Sequence, residues 1–269
     1  MADIHETAIV DKGAELADDV IVGPYCIIGG NVKIGSGTVI QNNVVIEGNV
    51  EIGENCKIFP FATIGLAPQD IKYSGEPTGV KIGNNNTIRE FITIHRGSVG
   101  GDGYTKIGNN NFLMAYVHIA HDCVIGDHVI MANAATLAGH VEVGDYAVIS
   151  GLSAVHQFAR VGSSAMVSGL SGVIQDIPPF TIASGTRAKL YGLNLVGLKR
   201  RGFSSETISE LKKAYRILFR SNLSLKEGVK KVQAELPYTD EIAHLIEFIN
   251  KNRRGITRAA NKGEGEEET

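Results

Sequence analysis

An aliphatic residue returns at every sixth position through most of this chain. Leu16, Val22, Ile28, Ile34, Ile40, Ile46, Ile52, Ile58 and Ile64 hold the register, and Ile82, Ile88 and Ile94 resume it. Ile107, Leu113, Ile119, Ile125, Met131, Leu137, Val143, Ile149, Val155, Val161, Val167 and Val173 carry it to the end. Such a period matches neither a helix, at about 3.6, nor a free strand, at about 2. It is the mark of a hexapeptide solenoid, in which each hexad builds one flat side of a coil. Two places before each aliphatic stands a small or β-branched residue, among them Val20, Cys26, Thr38, Val44, Cys56, Ala62, Cys123 and Ala135. Shared parity sends both inward, and a narrow interior accounts for the small partner. Glycine often follows the aliphatic, as at Gly23, Gly35, Gly53, Gly83, Gly126 and Gly144, and is expected to supply the backbone freedom of the corners.

The pattern stops near Ile177, ahead of Pro178 and Pro179, so the solenoid is assigned to residues 1–190. From Tyr191 the spacing turns helical. SSETISELKKAYRILF, SLKEGVKKVQAEL and TDEIAHLIEFIN read as helices of a small α-helical domain over 191–254 that caps the coil. Residues 255–269, ending in KGEGEEET, are expected to be a disordered tail. Abundant glycine (32) and the lack of Trp suit a solenoid better than a thick globular core, and a net charge of −3 argues against general nucleic-acid binding. The opening MADIHETAIV is unlike a secretory signal, and no stretch is apolar enough to span a membrane, so a cytoplasmic location is expected. Cys26, Cys56 and Cys123 all take the small inward position, which predicts buried, inert thiols.

Two insertions interrupt the repeat. LAPQDIKYSGEPTG, at 66–79, accounts for twelve residues between Ile64 and Ile82; the segment around RGSVGGDGYT, whose loop is 97–105, adds seven between Ile94 and Ile107. Three hexads make a triangular coil, so residues eighteen apart lie one above another. On that arithmetic the corner at His121 continues upward through Gly139 to Gln157 and downward to Arg96 and Leu66. Both insertions therefore leave the solenoid at the edge that carries His121, with His118, His140 and His156 beside it. A histidine cluster here suits two chemistries. A neutral His121 could act as general base for a hydroxyl attacking an activated acyl group, with Asp122 orienting the imidazole, although neighbours in a strand point opposite ways. The Gly139 N–H could then stabilise the oxyanion. Alternatively, His118 and His121 could join a third histidine, one from a neighbouring subunit included, around a catalytic zinc. Lys199, Arg200 and Arg201 either grip phosphates or form a solvated basic helix start. An ice-binding or purely structural solenoid would need a flat threonine-rich face, which these hexads lack.

HIAHDCVIGD at 118–127, LAGHVEVGD at 137–145, AVHQF at 154–158, GLKRRGF at 197–203, the PQDIKYSGEPT loop and TIHRG at 93–97 closely resemble the UDP-N-acetylglucosamine O-acyltransferase family. The resemblance runs from near residue 3 to about 250. It implies a left-handed parallel β-helix, a homotrimer with active sites between subunits, and no cofactor or metal. The implied reaction moves a 3-hydroxyacyl chain from acyl carrier protein, where it is a phosphopantetheine thioester, to the 3-hydroxyl of UDP-GlcNAc, the first step of lipid A synthesis. By motif, His121 would be the base and the Gly139 N–H the oxyanion donor. Gln69, Asp70 and Lys72 would meet the sugar nucleotide. His118, His140 and Gln157 would line the cleft and His156 would support it. Asn194, Arg200 and Arg201 would hold the nucleotide, and Gly169 would set acyl length. One position departs: Val196 stands where the family carries an acidic residue, which leaves room for a UDP 3-amino-sugar acceptor and an amide product. The related N-acyltransferases carry a uridine-binding domain ahead of the repeat, whereas hexads here begin by about residue 9.

Overall fold

In the computed structural model, which describes residues 1–261, the hexads form three sheets of 11, 9 and 8 strands, parallel but for the last strand of the first, that wrap into a left-handed β-helix. The first face starts with Asp3–Ile4, the second with Ile9–Val10 and the third with Glu15–Leu16. Register follows the repeat: Ile21 pairs with Val39, eighteen residues on. Across the first insertion the step widens, Lys57 pairing with Thr87, and across the second Thr87 pairs with Phe112. The stack is thus unbroken while the extra residues leave it. Ile28, Ile46, Ile64, Ile94, Ile119 and Leu137 are buried to within 1% exposure, and their small partners Cys26, Val44, Ala62, Val117 and Ala135 are at 0%. All three thiols are free and buried, and burial raises Cys26 and Cys56 and pushes Cys123 up to about 12.

The corners are built differently from the expectation. The glycine after the aliphatic lacks a positive φ at Gly23, Gly35, Gly53, Gly83, Gly126 and Gly144, while Gly65, after Ile64, has one at φ +82. The left-handed conformation falls two residues later, on Tyr25, Asn55, Asn85, His128 and Tyr146, with Gly37 the exception at its level. The glycines serve close approach instead. A Cβ on Gly35 would sit 2.8 Å from the Gly53 carbonyl carbon of the next coil, and one on Gly83 would sit 2.8 Å from the Gly108 oxygen. Coils stacked at strand spacing leave no room there for a side chain.

Above the last coil, Thr181–Ser184 continues the first face and folds back antiparallel onto Lys189–Leu193, which crosses the 190/191 boundary drawn from sequence. Among the described residues four helices follow: α1 (Leu195–Arg200), α2 (Ser205–Phe219), α3 (Leu225–Glu235) and α4 (Asp240–Asn250). Ser204, Ser224 and Thr239 cap the last three, Ser224 in a full capping box with Glu227. Ile208, Leu211, Val232, Leu245 and Ile249 bury the helical faces against the coil end and one another. The tail expected from residue 255 is ordered at its start. Ile256 bridges to Asp176 and Ala259 to Leu190, and Thr257 and Ala260 are buried. The apolar Ile256 and Ala260 gain a groove on the coil end that a purely acidic tail could not use. The remainder of that tail, 262–269, lies outside the described residues.

Candidate active site

Both insertions leave the corner between the second and third faces. The first runs from Thr63–Leu66 to Gly79–Ile82 and the second from Thr93–His95 to Tyr104–Ile107. In the next three coils the same corner carries His121, Gly139 and Gln157. One detail of the stacking differs: Gly65, at φ +82, bulges the strand and sets Leu66 opposite His95 rather than Arg96. The loops and the corner enclose a groove of about 570 Å³. Its walls include Gln69, Asp70 and Lys72 from the first loop, Ser98 from the second, and His121, His140, Gln157 and Phe158 from the coils.

His121 and Asp122 are adjacent yet meet face to face, His121 Nδ1 lying 2.8 Å from Asp122 Oδ2. The alternation rule fails because Asp122 is not in a strand. It takes the left-handed corner conformation, φ +60, which swings its carboxylate back under the imidazole. The carboxylate is 3% exposed, the imidazole 16%. Asp122 accepts from the Ser98 backbone N–H at 3.0 and 3.1 Å and from the Ser98 hydroxyl at 2.6 Å. An ionised carboxylate so held takes the Nδ1–H of a neutral His121 and leaves Nε2 as the free base. Gly139 lies directly against this ring: a Cβ there would be 2.6 Å from His121 Cε1. Its carbonyl accepts from Phe158, while its N–H has no acceptor among the described residues. An unpaired amide beside a free imidazole nitrogen can serve a reacting carbonyl.

His140 packs edge-on to His121 at 5.2 Å, stacks on Phe158 at 4.6 Å and reaches Asp122 Oδ2 at 3.6 Å. Burial holds its imidazole below the ordinary value, against the pull of the Asp122 charge. His121, Asp122 and His140 are the one trio among the described residues whose donor atoms come within metal-binding reach of one another, 4.8 Å. His118 is outside that trio. Its Nδ1 pairs with the Thr93 hydroxyl at 2.6 Å and its ring meets His95 at 5.1 Å, and within one chain His118 and His121 share no third donor among the described residues. Asp122, for its part, is already engaged by Ser98 and His121.

Other sequence-predicted residues divide. Asp70 closes a turn onto the Lys72 N–H at 3.0 Å, which shapes the loop beside the groove. His156 is exposed, its Nδ1 against the Gln157 carbonyl oxygen at 3.1 Å, and it does not line the groove. Arg96 turns away to lie against Gly48, with its guanidinium 5.4 Å from the Tyr73 ring, and so anchors the first loop. Asn194, Arg200, Arg201 and Gly169 are absent from the groove wall. Asn194 is buried as the cap of α1, accepting from the Gly197 N–H at 3.1 Å and donating to the Ser164 carbonyl at 3.0 Å. Arg201 lays its guanidinium 3.6 Å from the centre of the Tyr146 ring and bonds the Ser164 hydroxyl, on the corner between the third and first faces. Lys199 and Arg200 close the short helix α1 rather than opening a long one, where cations complement the helix dipole. Gly169 sits on the remaining corner, above Gly151. Ser98 and the buried His95 were not singled out from sequence. Ser98 had only its place in a glycine-rich loop, and His95 sits in the TIHRG segment one residue from the position that the repeat arithmetic selects.

A family profile described as "Udp N-acetylglucosamine O-acyltransferase; Domain 2" matches residues 176–257, and the six-repeat bacterial transferase hexapeptide profile matches 31–66 and 104–139. The acyl-[acyl-carrier-protein]–UDP-N-acetylglucosamine O-acyltransferase of Thermodesulfovibrio yellowstonii is 69% identical over 96% of this chain and 100% of its own length. LpxA from Acinetobacter baumannii superposes with a TM-score of 0.93 at 45% identity, covering 95% of this chain and 99% of that one. The UDP-N-acetylglucosamine acyltransferase from Campylobacter jejuni gives 0.91 at 43% identity over 96% and 100%. With sequence likeness and fold both running nearly end to end, this chain belongs to the acyl-[acyl-carrier-protein]–UDP-N-acetylglucosamine O-acyltransferase family and is an enzyme of that family.

Proposed function

We propose that the protein transfers a 3-hydroxyacyl group from acyl carrier protein to the 3-hydroxyl of UDP-GlcNAc, opening lipid A synthesis, with His121 as general base. The observation that carries this reading is the His121–Asp122 pair lying directly beneath Gly139 in an open groove. His121 Nε2 takes the proton of the sugar hydroxyl as its oxygen attacks the thioester carbonyl. The Gly139 N–H receives the oxyanion. Collapse breaks the C–S bond, and the imidazolium returns its proton to the departing pantetheine thiolate. Gln69, Asp70 and Lys72 meet the sugar nucleotide from the first loop, and His140 and Gln157 line the same groove. His118 supports the cleft wall through Thr93, and His156 supports it from outside.

A homotrimer supports the remaining roles. Within one chain Arg200, Arg201 and Gly169 stand on corners other than that of His121, so only a neighbouring copy brings them to its groove. Arg200 and Arg201 then hold the nucleotide, Asn194 shapes their helix, and Gly169 limits the acyl chain. An exposed apolar edge favours such self-association. Phe61, Phe91 and Tyr116 stack at 4.9 Å spacings on the corner between the first and second faces, and Leu152 and Leu170 continue the line at 65% and 68% exposure. Among the described residues no helix is long and apolar enough to cross a membrane. The test is acyl transfer by the purified chain, with the product's linkage read by mass spectrometry. An ester on UDP-GlcNAc supports the reading; reaction only with a 3-amino sugar, giving an amide, overturns it.

A further inference from the structure

The second loop has no task in the reading above, yet its inner side is given over to one carboxylate. Ser98 is 5% exposed and spends both its backbone N–H and its hydroxyl on Asp122. Thr105, fully buried where the loop rejoins the coil, accepts the Asp122 backbone N–H at 2.9 Å. Gly101 completes the enclosure: a Cβ there would lie 2.4 Å from Asp122 Oδ1, so no side chain fits. The neck of the loop is fixed to the coil. Gly97 donates to the Gly79 carbonyl at 3.0 Å, and Gly79 donates to the Gly103 carbonyl at 2.9 Å. Tyr104 continues the third-face sheet against Gly79.

We infer that the second loop is a bracket for the reaction's dyad, with Ser98 as a positioning residue that acts through Asp122 on His121. A carboxylate can rotate about its bond to Cβ, and only one rotation sets an oxygen 2.8 Å from His121 Nδ1. Ser98 grips both oxygens and fixes that rotation, while Thr105 holds the backbone in its left-handed corner. With the bracket in place, Nδ1 of His121 keeps its proton and Nε2 remains free to accept one. Without it, the imidazole can exchange tautomers and turn from the groove. Ser98 is not a substrate contact in this account, and the argument rests on His121 being the base.

The test uses Ser98→Ala, Ser98→Thr and Gly101→Ala in the full chain. Ser98→Ala should lower kcat about 10- to 100-fold, the range in which small misplacements act, with KM for both substrates held. Ser98→Thr keeps both donors and should recover most of the rate. Gly101→Ala should reproduce the kcat loss by pushing the carboxylate aside. Nitrogen NMR of histidine-labelled protein, with His121→Gln to assign the signal, reads the dyad without any acyl transfer. It should show the Nδ1–H tautomer in the wild type and a mixture in Ser98→Ala. A wild-type kcat and an unchanged His121 signal in Ser98→Ala would overturn the bracket. So would a raised KM at constant kcat, which would make Ser98 a substrate contact. If the wild type fails to acylate UDP-GlcNAc while the His121 signal still responds to Ser98→Ala, the proposed reaction falls and the bracket stands.

Discussion

Single residues at this corner are governed by burial and by backbone conformation. His95 is 6% exposed, and its Nδ1 has no hydrogen-bond partner among the described residues. Burial, with smaller contributions from His118 and His121, lowers it from 6.5 to about 4. Between those values the unfolded chain takes up a proton that the folded chain refuses. Stability from His95 is therefore complete above pH 6.5 and is lost as pH falls toward 4, by roughly 3 kcal/mol in full. Burial lowers His118 as well, and its contribution runs in the same direction. Urea unfolding of wild type and His95→Leu at neutral pH and near pH 4.5 checks this: the stability difference between the two pH values should shrink in the variant. An unchanged pH dependence would contradict it. His121, Gly139 and Gln157 could be placed on one edge from the six-residue period and a three-sided coil, because together these count coils. The Asp122 contact could not, because period and parity describe strands and say nothing about a left-handed corner.

At the scale of the coil, the hexad has two corner positions with different demands. On the third face the position after the aliphatic is glycine in coil after coil, at Gly35, Gly53, Gly83, Gly108, Gly126 and Gly144, because the next coil's backbone or corner side chain lies against it, whereas the other corners admit Gln41, Phe59, Arg89 and Met114 there. The one two residues later must turn left-handed, and asparagine, histidine and aromatic residues tolerate that at a modest cost. Adjacent sites separate the two. Gly83→Ala would force a Cβ to 2.5 Å from Asn109 Oδ1 and 2.8 Å from a backbone oxygen, and should cost about 1–3 kcal/mol. Asn85, exposed at φ +57, should accept glycine with little change, since relief of the strained φ offsets the added freedom of the unfolded chain. Thermal unfolding of both variants tests this. A Gly83→Ala variant as stable as Asn85→Gly would contradict close approach as the reason for glycine at Gly83. The repeat and the exit of both loops were plain in the sequence, since twelve and seven extra residues leave the six-residue register intact on either side. The short helix α1 was not, because its six residues are held by the Asn194 cap and the buried Leu198, contacts that depend on the finished coil end.

For the whole molecule, one buried ion pair ties the helices to the solenoid. Arg160 meets Asp176 at 2.7 and 2.9 Å, donates to the Phe248 carbonyl at 2.8 Å and lies 4.1 Å from the Phe248 ring centre. Asp176 is fully buried and also pairs with the returning segment through Gly255 and Thr257. Arg160→Met should cost about 3–5 kcal/mol by stranding that carboxylate, and Arg160→Met with Asp176→Leu should regain much of it. Urea unfolding of the two would contradict the account if the double variant were the weaker. The return of 255–261 was hidden by the acidic residues that follow it, and the separation of Arg201 from His121 depends on which corner the chain reaches after its last turn. The central claim is that His121 is the base of the acyl transfer, and its most direct test is the rate of His121→Ala with UDP-GlcNAc and a 3-hydroxyacyl carrier protein. A fall in kcat of about 10²- to 10⁴-fold in a protein that still folds is the predicted result. A variant that turns over at the wild-type rate would contradict it.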